Sequence, residues 1–199
     1  MKKGIVGNGG FGREVYWSLK EEDRNQAKFF VDDEYWDEKD INTLPISKFD
    51  HNEYELVVAI GDPTLRKQMV ERLPKQAKYF THIHEKAVIL DPNTKMGEGS
   101  IICAGTVLTT NITLGKHTHL NLHTTVGHDT IIGNYFTTAP SVNISGNCKI
   151  GNQVYVGTNS SIREKINICD DVILGLNSGV VKDILEPGVY GGTPSKKIK

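Results

Sequence analysis

Leu120-Asn121-Leu122-His123-Thr124-Thr125-Val126-Gly127-His128-Asp129-Thr130-Ile131-Ile132-Gly133-Asn134-Tyr135-Phe136-Thr137-Thr138 has a beat of six: Leu120, Val126, Ile132 and Thr138. The beat extends in both directions without slipping, through Leu90, Met96, Ile102, Leu108 and Leu114 before it and Ile144, Ile150, Val156, Ile162, Ile168, Leu174 and Val180 after it. All of these except Thr138 are aliphatic. The next residue in each hexad is mostly small: Gly97, Gly115, Gly127, Gly133, Gly151, Gly157 and Gly175, with Cys103, Ala139 and Ser145. The fifth position carries compact residues such as Ser100, Thr106, Val142, Val154 and Val172. A face of six residues that turns a corner needs an inward aliphatic, then a small residue at the bend, then a compact inward residue near the next corner. Three such faces close a triangular coil of 18 residues, and the coils stack through backbone hydrogen bonds at the strand spacing of about 4.8 Å. Sixteen hexads make a little over five coils. An ordinary β-sandwich would place its turns at irregular intervals; a repeat of this regularity predicts a parallel solenoid.

Upstream of about residue 80 the composition changes. Lys3-Gly4-Ile5-Val6 reads as a buried strand, and Arg13 to Lys20 as a helix. Between them Gly7, Gly9 and Gly12 fit G-x-G-x-x-G, a turn that lets backbone N–H groups and a helix N-terminus face a phosphate. Phe29-Phe30-Val31 reads as a second strand ending at Asp32-Asp33. Leu56 to Ile60 reads as a third, followed by Gly61-Asp62 and a helix from Pro63 to Leu73. The expectation is a β-α-β arrangement with a parallel sheet in residues 1–80, followed by the solenoid in 81–199. Asp32 lies where a dinucleotide fold places its ribose-gripping carboxylate, so an NAD-dependent enzyme competes. About 80 residues hold only half of the usual dinucleotide fold, and the solenoid leaves no dehydrogenase domain; a single nucleotide fits better.

The hexads resemble those of the hexapeptide-repeat acyltransferases, which implies a left-handed parallel β-helix, a homotrimer and active sites shared between neighbouring prisms. The whole chain, from its first strand to Gly191-Gly192-Thr193-Pro194-Ser195-Lys196, is similar to the sialic acid O-acetyltransferase-like group. It most resembles the members that N-acetylate UDP- or GDP-linked 4-amino-4,6-dideoxysugars for surface glycans. That resemblance implies nucleotide-sugar binding by Gly9, Gly10, Phe11, Asp32, Asp33 and Gly61, with acetyl-CoA as co-substrate and no metal. Some relatives carry a His where Phe11 stands.

Acyl transfer to an amine needs a base, and histidine suits neutral pH. Among the seven histidines, His128 is followed by an acid, Asp129, which can orient the ring and support the imidazolium. His128 occupies the outward third position of its hexad. The resemblance lands on the same pair, since the family's catalytic His-acid dyad matches His128 and Asp129. Eighteen residues on, Gly146 should stack against His128 one coil away, and its N–H could meet an oxyanion, a contact worth about 3 kcal/mol. The resemblance further places Thr137, Gly146, Thr158, Leu176 and Lys196 at the acetyl-CoA site, with Lys197 beside it.

The totals fit this reading. The 199 residues carry 23 basic and 24 acidic side chains, a net charge of −1, which gives no basic excess for nucleic acid. Mean hydropathy is −0.34 and no apolar run reaches membrane length. The N-terminal segment lacks a signal core, which points to the cytoplasm. Cys103, Cys148 and Cys169 are too few and too scattered for a disulfide framework or zinc knuckle. Three rival readings stand beside this one. A zinc-dependent trimeric β-helix hydratase would use His117, His119 or His123, and His117 and His119 would share a strand face. The same machinery could O-acetylate a sialic acid. A non-catalytic scaffold would release no thiol from acetyl-CoA.

Overall fold

The computed structural model describes residues 1–199, which divide into two compact units, Met1–His82 and Ile83–Lys199.

The first unit is a four-stranded, all-parallel sheet with helices α1 (Gly10–Ser18), α2 (Glu21–Arg24) and α3 (Pro63–Arg72). Its strands are β1 (Lys2–Val6), β2 (Lys28–Val31), β3 (Thr43–Pro45) and β4 (Tyr54–Val58), in the order β3-β2-β1-β4. Ile5, Val6, Phe30, Leu56 and Val58 form the buried heart of the sheet. Gly4 sits between its neighbours because a Cβ there would come within 2.5 Å of Leu56 and 2.8 Å of Phe30. Three of the strands were legible as apolar runs. The edge strand β3 was not, since it is three residues long and ends in a proline, a residue confined to sheet edges and strand ends. Helix α1 begins three residues earlier than expected because the glycines themselves make its first turn, with Arg13 N–H donating to the Gly9 carbonyl at 3.1 Å. Helix α3 opens on an Asp62 cap, whose carboxylate accepts from Leu65 N–H at 2.9 Å, with Pro63 in the first turn.

The second unit is a parallel β-helix of three sheets. Most strands are two or three residues long and pair in parallel at an offset of 18 residues, as in Ile101, His119, Thr137, Tyr155 and Ile173, while the four-residue strand Gly188–Gly191 carries an antiparallel partner, Lys196–Lys197. The aliphatic row points inward: Ile102, Leu108, Leu120, Val126, Val156 and Leu174 are fully buried. The fifth positions, from Ser100 and Thr106 to Phe136 and Val172, are buried too. Leu90, in the first hexad, is 63% exposed and lies outside this core.

The corners correct one expectation. The small second position was read as the place where the chain bends, but the left-handed backbone lies two residues later. Every hexad from Gly99 to Asn177 has a positive φ at its fourth position, from +53 to +71°, and after Gly99 and Gly105 none of these residues is glycine. Small residues are needed at position two because the next coil passes there. A Cβ on Gly115 would come within 2.5 Å of the Gly133 backbone, and one on Gly157 within 2.6 Å of Gly175.

Thr138, the one polar residue in the aliphatic row, has a partner for its hydroxyl. It accepts Asn121 N–H at 2.9 Å and lies 2.8 Å from Thr124 Oγ1, whose hydroxyl also reaches the Asn121 carbonyl at 2.8 Å. This buried cluster holds the Asn121 corner, so the break in the repeat is a hydrogen-bonding site.

Candidate active site

His128 and Asp129 stand at a corner of the prism, at the third and fourth positions of their hexad. The corner geometry brings adjacent residues together: Asp129 has φ of 60°, and its Oδ2 lies 2.7 Å from His128 Nδ1. A carboxylate can only accept, so Nδ1 carries the hydrogen and Nε2 presents its lone pair outward. The two side chains are 58% and 45% exposed, open to a substrate. Asp129 is held below the usual carboxylate range, first by a hydrogen bond from Asn111 and then by one from His128.

Gly146 stacks one coil on, as its 18-residue offset requires. Asn147 N–H donates to the His128 carbonyl at 2.7 Å, which locks the two coils together at this corner. A Cβ on Gly146 would lie 2.7 Å from His128 Nε2 and 2.8 Å from Cε1, so the ring occupies the space that a side chain would fill.

The Gly146 N–H is distinctive when set against the neighbouring corner. There three third-position N–H groups are taken by the side chain one coil on: Lys116 by Asn134 at 2.8 Å, Asn134 by Asn152 at 2.8 Å and Asn152 by Asp170 at 2.7 Å. The Gly146 N–H donates to no acceptor within the protein. An imidazole held by a carboxylate thus lies against a residue whose backbone N–H has no acceptor in the protein, an arrangement that acyl transfer can use.

In the first unit, the glycine turn opens on a cavity of about 380 Å³ lined by Gly7, Asn8, Gly9, Asp32, Tyr35, Asp37, Asp40 and Thr43, among others. The three motif glycines serve different ends. Gly7 needs glycine for its φ of +102°, and Gly12 because a Cβ would sit 2.0 Å from the Gly7 carbonyl oxygen. Gly9 and Gly10 meet nothing within 4 Å, so neither is glycine for the sake of the protein's own packing. Their bare backbone at the start of α1 faces open space, as a phosphate site requires.

The comparisons with known proteins bear on both units. The family model described as the PglD N-terminal domain matches residues 4–73. A GDP-perosamine N-acetyltransferase of Escherichia coli O157:H7 is 29% identical over 174 residues, covering 82% of this chain and 78% of the relative. WeeI from Acinetobacter baumannii AYE is 31% identical, covers both chains completely and superposes with a TM-score of 0.85. This chain belongs to the hexapeptide-repeat nucleotide-sugar N-acetyltransferases. The perosamine N-acetyltransferase of Caulobacter crescentus, solved with CoA and GDP-perosamine, has a TM-score of 0.89 over all of this chain and 97% of its own, at 22% identity. That likeness shows the fold: an α/β half domain followed by a left-handed parallel β-helix.

Of the residues expected to hold the nucleotide in this N-acetyltransferase, Gly9 and Asp32 line the cavity, while Gly10, Phe11, Asp33 and Gly61 do not. Asp32 is paired with Arg72, whose Nη2 lies 2.5 Å from Oδ1. Asp33 is engaged elsewhere. It accepts Ser47 N–H at 3.2 Å, and hydrogen bonding from Ser47, first by its side chain and then by this N–H, holds its carboxyl below the usual range. The Gly61 carbonyl is 3.2 Å from Nη1 of the fully buried Arg66, which also binds the Ile60 carbonyl at 2.7 Å. Sequence reading missed Arg66, Asn8, Tyr35, Asp37, Asp40 and Thr43. Asp37 and Asp40 follow Asp32 closely, and an acid-rich stretch after strand two was the available signal.

The residues expected at the acetyl-CoA site do not gather at one corner. Thr158 and Leu176 are exposed and stack 18 residues apart, with Asn177 N–H on the Thr158 carbonyl at 2.9 Å. From that corner the chain runs through the Ser161–Ile162 strand before reaching the corner where Gly146 and His128 stack, so the two groups flank one face. Thr137 belongs to a different sheet, between His119 and Tyr155, and is only 5% exposed. Lys196 is exposed in the antiparallel terminal strand, and Lys197 beside it pairs with Glu186 at 2.9 Å. No group of three or more His, Cys, Asp or Glu side chains is arranged so that it could hold a metal ion. His117 is instead stacked on Tyr135, with ring centroids 5.3 Å apart.

Proposed function

We propose that this protein transfers the acetyl group of acetyl-CoA to the amino group of a nucleotide-linked amino sugar of the 4-amino-4,6-dideoxyhexose type. The observation that carries the reading is the His128–Asp129 pair, with Nδ1 tied to the carboxylate at 2.7 Å and Nε2 in the space that a side chain on Gly146 would fill, the Gly146 N–H having no acceptor in the protein. The substrate class rests on the relatives: the Escherichia coli enzyme is named for GDP-perosamine, and the Caulobacter structure holds CoA and GDP-perosamine.

In this reading the sugar nitrogen attacks the thioester carbonyl. The C–N bond forms, the C–S bond breaks, and the oxyanion is met by Gly146 N–H. His128 Nε2 takes the proton that the nitrogen must lose and passes it to the departing thiolate, so the products are the amide and free CoA. Asp129 fixes the tautomer and supports the imidazolium. Gly9, Gly10, Phe11, Asp32, Asp33 and Gly61 belong to the nucleotide end, with Gly9 and Asp32 in direct contact because they line the cavity. Thr158 and Leu176 are placed with the cofactor, together with Thr137 and Lys196. Because Thr158 and Leu176 stand across that face from the His128 corner, a homotrimer that sets one prism's corner beside its neighbour's would unite them on one acetyl-CoA. No helix is long and apolar enough to cross a membrane, and we assign the reaction to the cytoplasm, where acetyl-CoA and sugar nucleotides are made.

The test is thiol release from acetyl-CoA against UDP-, GDP- and dTDP-linked amino sugars and free sialic acid. Turnover with a nucleotide amino sugar is expected. Turnover with sialic acid alone would replace the acceptor, and no release with any acceptor would leave a scaffold. His128→Ala should lower turnover by about 10²–10⁴-fold. A folded His128→Ala variant with native turnover would remove the base from the mechanism.

A further inference from the structure

Asn111 lies one coil before Asp129 and was not singled out by any sequence motif. Its Nδ2 donates to Asp129 Oδ1 at 2.6 Å, while His128 Nδ1 holds the other oxygen, Oδ2, at 2.7 Å. The carboxylate is thus split between two partners, one oxygen each. Asn111 is itself fixed. Its backbone is left-handed, with φ of 54°, and its N–H donates to Asp91 Oδ2 at 3.0 Å. Thr110 Oγ1 reaches the same Asp91 oxygen at 3.3 Å, and Asp129 N–H donates to the Thr110 carbonyl at 3.0 Å. An ordered chain of contacts runs from Asp91 through Asn111 and Asp129 to the imidazole, across three successive coils.

We propose that Asn111 is a positioning residue of the acyl transfer, holding the Asp129 carboxylate in the one orientation that aims His128 Nε2 at the Gly146 corner. The inference rests on the reading of His128 as the base. Its physical ground is exposure. The His128 and Asp129 side chains are 58% and 45% exposed, and a lone pair of that kind samples several rotamers and gives little net attraction. A second donor on Oδ1 removes the rotation of the carboxylate about its last bond. Asparagine meets both demands of the position, since it tolerates left-handed backbone and offers an uncharged donor. The charged and titratable groups that this chain of contacts brings to Asn111 are Asp91 on one side and Asp129, with His128 behind it, on the other.

Two variants separate positioning from folding. Asn111→Gly keeps the left-handed backbone and removes the amide. Asn111→Asp keeps shape and backbone preference but turns the donor into an acceptor facing Asp129. Both should lower kcat about ten- to hundredfold, with KM for acetyl-CoA and for the nucleotide sugar within about twofold of native, because the base is misaimed and the substrates are not. The Asn111→Asp deficit should narrow as pH falls, because a protonated carboxyl can donate to Asp129 again. In an Asp129→Ala background, Asn111→Gly should cost nothing further, since the residue it acts through is gone. Native kcat in Asn111→Asp, or losses that multiply in the double variant, would overturn the proposal. Failure of the base reading shows separately, as native turnover in His128→Ala.

Discussion

Gly146→Ala tests the geometry of the corner with a single methyl group. Gly146 has no positive φ, so alanine is not strained in its backbone, and the new Cβ would contact the imidazole at 2.7 Å from Nε2, 2.8 Å from Cε1 and 3.0 Å from Cδ2. To reach ordinary contact at 3.4 Å the ring must retreat by about 0.7 Å (3.4 − 2.7). The ring is more than half exposed and can do so by rotating into solvent, so the fold should lose less than about 1 kcal/mol. Retreat breaks the 2.7 Å bond to Asp129 and withdraws the lone pair from the attacking nitrogen. A displacement approaching 1 Å costs about 10²-fold in rate, and a lost charge-assisted hydrogen bond of about 1.5–3 kcal/mol corresponds to a similar factor. We therefore expect kcat to fall about 10²-fold, with KM for both substrates little changed and the thermal midpoint nearly unmoved. The assay is continuous thiol detection at saturating acetyl-CoA and nucleotide sugar, alongside a thermal melt. A Gly146→Ala enzyme with native kcat would refute the claim that reaction occurs over this residue. Global unfolding would refute the claim that the crowding there concerns only the His128 ring.

Three further expectations follow from the same kind of reasoning. Gly9→Ala should leave stability within about 0.5 kcal/mol while weakening nucleotide-sugar binding, because nothing in the protein lies within 4 Å of the added Cβ. Gly12→Ala should destabilise by at least about 1–3 kcal/mol, because its Cβ would sit 2.0 Å from the Gly7 carbonyl oxygen; melts with and without nucleotide separate the two, and equal behaviour would refute the division of roles. Thr138→Val restores the aliphatic row yet should cost about 1–3 kcal/mol by stranding the Asn121 N–H, and a rise in the thermal midpoint would refute the hydrogen-bonding role. Asp40, Asp91, Asp129 and Asp183 are all held below the ordinary carboxylate range, chiefly by hydrogen bonds from Thr43, Asn111 and Asn167. Their stabilisation is fully present above about pH 4 and is lost as pH falls through their lowered values, since the unfolded chain takes up protons first. The thermal midpoint should therefore drop as pH falls below about 4, and a flat profile there would refute it.

The sequence by itself determined the period, the face that each aliphatic residue buries and the coil partner of His128. A solenoid makes these legible because its tertiary neighbours lie at the constant offset of 18 residues, so a long-range contact is written as a local rhythm. Strands β1, β2 and β4 of the sheet and the glycine turn were legible for a related reason: apolar runs and glycines at a strand-to-helix joint are local signals.

What lay beyond the sequence depended on where side chains point once the coils are stacked. Position two is small because the next coil crowds it, and the left-handed turn falls two residues later, where Asn, His and Asp tolerate it. Thr138 looked like a lapse in the row until the Asn121 N–H was found directed at it. Asp33 looked equivalent to Asp32, but it caps Ser47 while Asp32 faces the cavity. The pairing of Asn111 with Asp129, and the contrast between the capped N–H groups of one corner and the open Gly146 N–H of the next, were likewise decided by the fold. Periodicity fixes which backbone atoms are neighbours, whereas rotamers and hydrogen-bond partners are chosen by the full three-dimensional surroundings, and it is these that set the His128 ring against Asp129 and Gly146.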